Sequence, residues 1–123
     1  MSGPLGSAVA LSELQSEYIR LATEHATALE RGDHRLANRC FDHLRKLRRE
    51  FTRRGPAGEK ALVDLLESES LPVRVWAATH ALEFAGSAAE SVLARAADGP
   101  AGPLRLSAEM MLREWRARER PES

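Results

Sequence analysis

Leu36-Ala37-Asn38-Arg39-Cys40-Phe41-Asp42-His43-Leu44-Arg45-Lys46-Leu47-Arg48-Arg49-Glu50-Phe51 places Leu36, Cys40, Leu44, Leu47 and Phe51 at intervals of four and three. That spacing follows the turn of an α-helix, so the five side chains form one seam, flanked by Ala37 and Phe41. The pattern predicts a helix running to about Arg54. Just before it stand Gly32, suited to ending a helix, and Asp33, whose carboxylate can accept from a free N–H at the start of the next. Upstream, Leu14, Tyr18, Leu21, His25 and Ala28 repeat the same spacing, with Ile19, Ala22 and Leu29 widening the stripe. This first helix is expected to start near Ser12, where Ser12 and Gln15 have capping-box spacing. With only Gly32 and Asp33 between them, the two helices form an αα-hairpin.

Working outward, Gly55-Pro56 punctuates the chain, Pro suiting the first turn of a helix. A short third helix, about 57–68, carries Leu62, Val63, Leu65 and Leu66. Ser70-Leu71-Pro72 opens a fourth, Val73 to Ala85, which is apolar almost all round and belongs at the centre of the fold. Gly86 ends it. Ser87 and Glu90 then have capping-box spacing for a fifth helix, about 88–98. Asp98-Gly99-Pro100 and Gly102-Pro103 precede a sixth, with Leu104, Ala108, Met111, Leu112 and Trp115 as its buried stripe. The expected architecture is all-α: about six helices in antiparallel hairpins, forming one domain over residues 11–118. Residues 1–10 read as a disordered lead, in which Gly3-Pro4-Leu5-Gly6-Ser7 resembles a protease-cleaved tag remnant, while Met1-Ser2 ahead of it are equally consistent with a native start. Residues 119–123 read as a frayed tail.

Composition agrees with a folded helical protein. Apolar residues make up 43% of the 123, too many for a disordered chain, while aromatics are only 5%. No apolar run approaches the roughly 20 residues of a membrane helix. The single cysteine, Cys40, excludes an internal disulfide and points to a reducing cytoplasm. The formal net charge of zero hides an alternation: residues 31–60 carry ten Lys or Arg against four acids, whereas residues 61–100 carry two against six. Such blocks steer oppositely charged partners, although a neutral total argues against a dedicated nucleic-acid protein.

Leu62…Val73-Arg74…Ala77…Ala81 aligns with Leu93…Leu104-Arg105…Ala108…Leu112 at an offset of 31 positions. Each unit is a short helix, a Pro-bearing turn, and a longer helix opened by an apolar-Arg pair. This resembles the HEAT-like repeat, in which that Arg commonly bonds between neighbouring repeats, although HEAT units usually run about 40 residues or more. The resemblance implies a HEAT-like or armadillo-like right-handed helical repeat bundle. Val73-Arg74-Val75-Trp76-Ala77-Ala78-Thr79-His80-Ala81-Leu82-Glu83-Phe84 and Ser107-Ala108-Glu109-Met110-Met111-Leu112-Arg113-Glu114-Trp115-Arg116 further resemble an uncharacterised bacterial family. It is catalogued as domain of unknown function two-zero-one-nine, and the likeness spans roughly residues 60–117. That resemblance implies a small helical protein and no activity.

Three constellations bear on function. The second helix carries Arg39, Lys46, Arg49 and Arg53 on the face opposite its seam, a candidate phosphate-binding surface. Asp42 four before Lys46 and Glu50 four before Arg54 have the spacing of ordinary surface pairs, and Phe41 and Phe51, as seam residues, leave no aromatic to stack on bases. Cys40 with His43, and His25 with His34, have no CxxC or HExxH pattern around them, so no metal is expected. Trp76, His80 and Glu83 share a flank of the fourth helix. With Glu109, Arg113 and Arg116 of the sixth they form a candidate partner surface, Trp and Arg being the types enriched at interface hot spots. No Gly-rich phosphate loop or Ser/His/Asp arrangement is present. The expectation is a non-enzymatic interaction module, an adaptor or scaffold without cofactor or membrane, whose partner is another protein. Immunity against a toxin and nucleic-acid binding through the basic face are the alternatives.

Overall fold

A computed structural model describes residues 9–119. Among these residues there are five α-helices, one short 3-10 turn and no strand. The helices are α1 (Leu11–Arg31), α2 (His34–Arg53), α3 (Pro56–Asp64), α4 (Leu71–Ala97) and α5 (Pro103–Glu119), with the 3-10 turn at Leu65–Glu67. The chain divides into two compact units, the first ending at Leu65 and the second beginning at Leu66. Residues 1–8 of the expected lead and 120–123 of the expected tail lie outside the described residues.

In the first unit α1 and α2 form the hairpin, and α3 packs against both. Gly32, at φ 72°, closes α1, and the Asp33 carboxylate accepts from Leu36 N–H at 3.1 Å to open α2. The start of α1 differs from the expected Ser12 cap. Ala10 is the N-cap; the Glu13 carboxylate reaches back to its N–H at 3.2 Å, while Gln15 donates to Ala61 O of α3 at 2.8 Å. A glutamate in the first turn substitutes for a hydroxyl cap, and Gln15 is taken up in tertiary packing. The core between the helices holds Leu14, Tyr18, Leu21, Cys40, Leu44, Leu47, Phe51 and Leu62, all buried. Tyr18 and Phe51 meet edge to face, ring centroids 5.9 Å apart at 73°. Burying each such ring is worth about 1.5–3 kcal/mol, and their mutual geometry adds about 0.5–1.5 kcal/mol.

The second unit is α4 packed on α5. The fourth and fifth helices expected from the sequence are two arms of one 27-residue element. Gly86 does interrupt the helix, with φ 23° and ψ −97°, but the chain bends there without spending residues on a loop. Only glycine adopts such a backbone at little cost, so a kink takes the place of a connection and the helix count is five rather than six. Glu90, expected to face Ser87 in a capping box, accepts instead from Arg116 Nε of α5 at 3.0 Å. The first arm is buried nearly all round, at Val73, Val75, Ala77, Ala78, Ala81 and Leu82. On α5, Ala108 and Leu112 are buried, while Leu104, Met111 and Trp115 are half-buried.

Candidate functional site

The outer side of α5 carries one candidate surface. Glu109, Arg113 and Arg116 follow one another at four and three residues, so the helix brings them to one side. Together with Leu112, Ala117 and Ala97 of α4 they line an open groove of about 630 Å³. The small Ala97 and Ala117 leave the space, and Leu112 contributes its apolar lining. Arg116 is held in place by Glu90, and Glu109 accepts from Arg105 Nε at 3.2 Å. Arg113 is exposed. Beside the groove, Leu106 and Met110 are 57% and 47% exposed, and with Arg113 and Ala117 they form a stripe at positions i, i+4, i+7 and i+11.

The other half of the expected partner surface is arranged differently. Trp76 and His80 do meet, ring centroids 5.4 Å apart, but His80 is only 9% exposed and Trp76 half-buried. One turn on, Glu83 points toward Arg118 of α5, at 3.6 Å. The two rings therefore meet on α4 itself, and Glu83 ties α4 to α5. The pairing of Arg118 with Glu83 was not legible in the sequence, where Arg118 stood only as the last residue before the expected frayed tail. Its guanidinium also lies 5.6 Å from the Trp115 ring, a cation–π spacing that the i, i+3 separation of the two residues could have signalled.

On α2 the four residues Arg39, Lys46, Arg49 and Arg53 are all exposed on one face, as is Arg35. Glu50, only 8% exposed, accepts from Arg53 and from Arg54 at 2.6 and 2.7 Å. Hydrogen bonding from Arg53, reinforced by Arg54, holds the Glu50 carboxyl below the usual range even though burial opposes this. The Asp42–Lys46 pair suggested by spacing does not form; both side chains extend into water, where such a pair is worth only a few tenths of a kcal/mol (~0.3). Phe41 is not a buried seam residue. It is 43% exposed, with the Arg45 guanidinium 5.9 Å from its ring centroid.

Cys40 is buried and donates to Glu24 Oε1 at 3.6 Å. Burial pushes the thiol pKa up, with the Glu24 carboxylate acting in the same direction. Among the described residues no three His, Cys, Asp or Glu side chains gather as a metal-ion cluster, and no helix is long and apolar enough to cross a membrane.

The family model described as Domain of unknown function (DUF2019) matches residues 12–115. The chain belongs to this family. The match takes in α1 and α2 as well as the Trp-bearing helices, so the DUF2019 pattern extends over both units. Among solved structures, the crystal structure of the protein RPA1889 from Rhodopseudomonas palustris CGA009 is similar, with a TM-score of 0.85 at 20% identity. The similarity covers 100% of both chains, and at that identity it speaks for the fold alone. No curated protein matches this DUF2019 chain.

Proposed function

We propose that this chain is a non-enzymatic protein-interaction module, a small HEAT-like scaffold or adaptor that docks another protein along the outer side of α5. One observation carries the reading: the exposed stripe Leu106, Met110, Arg113 and Ala117 runs into the groove lined by Glu109, Arg113 and Arg116. Apolar side chains held in water beside a rim of mixed charge have the character of a docking surface. A partner covering the stripe would remove Leu106 and Met110 from water and desolvate Arg113, a residue type that dominates interface energetics. Glu109 and Arg116 would then set its register by charge. The repeat arrangement, right-handed and HEAT- or armadillo-like, is part of this proposal and is supported by the 31-position offset.

Photo-crosslinking tests it. A photoreactive residue at position 113, in lysate of the source organism, should give one discrete protein adduct that Met110→Glu abolishes. The same residue at position 30, on the exposed side of α1, should give none. No adduct from position 113, or equal labelling from both positions, would defeat the reading.

A further inference from the structure

The order of side chains along the outer side of α5 is self-complementary. Of the four large apolar side chains that stand exposed among the described residues, Ile19 and Phe41 lie on different helices, whereas Leu106 and Met110 are one turn apart on α5. At about 100° per residue, Leu106, Met110, Arg113 and Ala117 fall within about 60° of one another round the helix. Glu109 and Arg116 stand on one flank of that stripe, the flank toward which Arg113 is also displaced. Arg113 is exposed and, among the described residues, has no carboxylate within ion-pair distance. Glu109 meets Arg105 through Oε2 at 3.2 Å in a half-exposed pair, which leaves Oε1 to accept from a further donor.

We infer that the protein docked on α5 is a second copy of this chain, the two α5 helices lying antiparallel about a two-fold axis midway between Met110 and Arg113. This rests on the reading of α5 as a docking surface and names its occupant. A two-fold axis between antiparallel helices brings each flank of the stripe against the same flank of the copy, so every contact occurs twice. Leu106 comes level with the copy's Ala117, a large side chain over a small one. The two Met110 side chains stand about 4.5 Å apart along the helix direction, three residues at the helical rise, and close the centre of the seam. Glu109 falls about 1.5 Å along that direction from the copy's Arg113 and about 3 Å from its Arg116. Each copy thus offers an acid to two cations of the other. A parallel pair would bring the two Arg113 to one level and turn Glu109 toward the opposite flank, where Glu114 stands. Charge therefore selects the antiparallel arrangement. A partner segment of one sign would satisfy half of this face and be repelled by the rest.

A contact one helix wide falls below the roughly 1,200 Å² of standard interfaces, so the dimer is expected to be weak and concentration-dependent. The test is sedimentation equilibrium of the full chain, with reductant, from micromolar to millimolar loading. The weight-average mass should climb from the 13.6 kDa of one chain toward twice that value. Met110→Glu should weaken association at least about tenfold by placing two carboxylates at the axis. Glu109→Arg and Arg113→Glu should each weaken it too, because like charges then meet across the axis. Mixed in equal amounts, these two variants should associate again, to within about tenfold of the parent, since each reversed charge finds its opposite on the other chain. Circular dichroism melts matching the parent chain would establish that the variants are folded. A parent that keeps the mass of one chain throughout, a Met110→Glu variant that dimerises as the parent does, or a mixture no tighter than its components would overturn the second copy. The docking surface is judged separately. A monomeric parent whose position 113 still captures an unlike protein in lysate overturns the second copy and leaves the surface standing, whereas an adduct of two identical chains supports both.

Discussion

Arg74 and Arg105 hold equivalent places in two successive turns: each donates to the backbone carbonyl six positions upstream, Arg74 Nη1 to Ser68 O at 2.8 Å and Arg105 Nη1 to Gly99 O at 3.4 Å. Donors and acceptors alike are 31 positions apart, the offset read from the sequence. Each guanidinium closes its own turn against the helix that follows. The two bonds are not equal in weight. Arg74 is half-buried and its bond short, whereas Arg105 is exposed and shared with Glu109. A charge-assisted hydrogen bond away from water contributes about 1.5–3 kcal/mol, and an exposed one far less. Arg74→Ala should therefore cost about 2 kcal/mol in urea denaturation and Arg105→Ala under about 0.5 kcal/mol. Equal midpoints for the two variants would show that the turn geometry, not the bond, holds these segments.

How much of this was written in the sequence depends on the range of each interaction. The hairpin was legible because Leu36, Cys40, Leu44, Leu47 and Phe51 announce their face by spacing alone, and Asp33 caps α2 from within the same turn. Glu109, Arg113 and Arg116 share one side of α5 for the same local reason. Phe41 was misread because helical phase places it next to the seam without saying how far round α2 its neighbours reach, and they stop short of it. The Glu83–Arg118 and Glu90–Arg116 pairs were illegible, since they depend on how α4 crosses α5. Gly86 was recognised as a break, but sequence does not distinguish a kink from a connection.

Gly58 sits tight against the last turn of α2. A β-carbon there would overlap the carbonyl oxygen of Phe51 and stand 2.7 Å from Arg54 Cβ. Because the nearer obstacle is backbone, no rotamer change relieves the clash. Gly58→Ala should therefore destabilise the fold by about 1–3 kcal/mol, the usual cost of overpacking, even though alanine is the better helix former by about 1 kcal/mol. Chemical denaturation of this variant provides the check. A variant as stable as the parent would mean that α3 can slide away from α2.

Acid should weaken the protein in two separate steps. Burial lowers the pKa of His25, so the unfolded chain binds its proton more readily than the folded one. Stability from this group is complete above the unfolded histidine value of about 6.5 and falls as pH drops toward the depressed native value. Glu50 is also depressed, by Arg53 first and then Arg54, against burial. Its contribution is present above the ordinary glutamate pKa of about 4.3 and is lost as pH falls through the lowered native one. Thermal melts at about pH 7.5, 5.5 and 2.5 should show both losses, the first between the upper two settings and the second between the lower two. His25→Gln should remove the first step only, and Glu50→Gln the second only, while lowering stability at neutral pH by about 1 kcal/mol. A melt independent of pH across both windows would contradict the assignment.

The thiol of Cys40 should be silent in the native protein. Its side chain is 2% exposed in the seam of α2, and burial together with the Glu24 carboxylate keeps it protonated above the ordinary range. Reaction with a disulfide reagent requires both access and the thiolate, and this environment withholds each. Labelling at neutral pH should therefore proceed only through opening of the hairpin, at a rate that rises with urea and tracks unfolding measured by circular dichroism. Glu24→Gln discriminates between the two barriers. Removing the carboxylate lowers the thiol pKa but leaves the sulfur buried, so the native labelling rate should change less than about twofold if access is limiting. A large acceleration in Glu24→Gln, or fast labelling of the parent without denaturant, would place Cys40 at a surface that the packing of α1 on α2 does not provide.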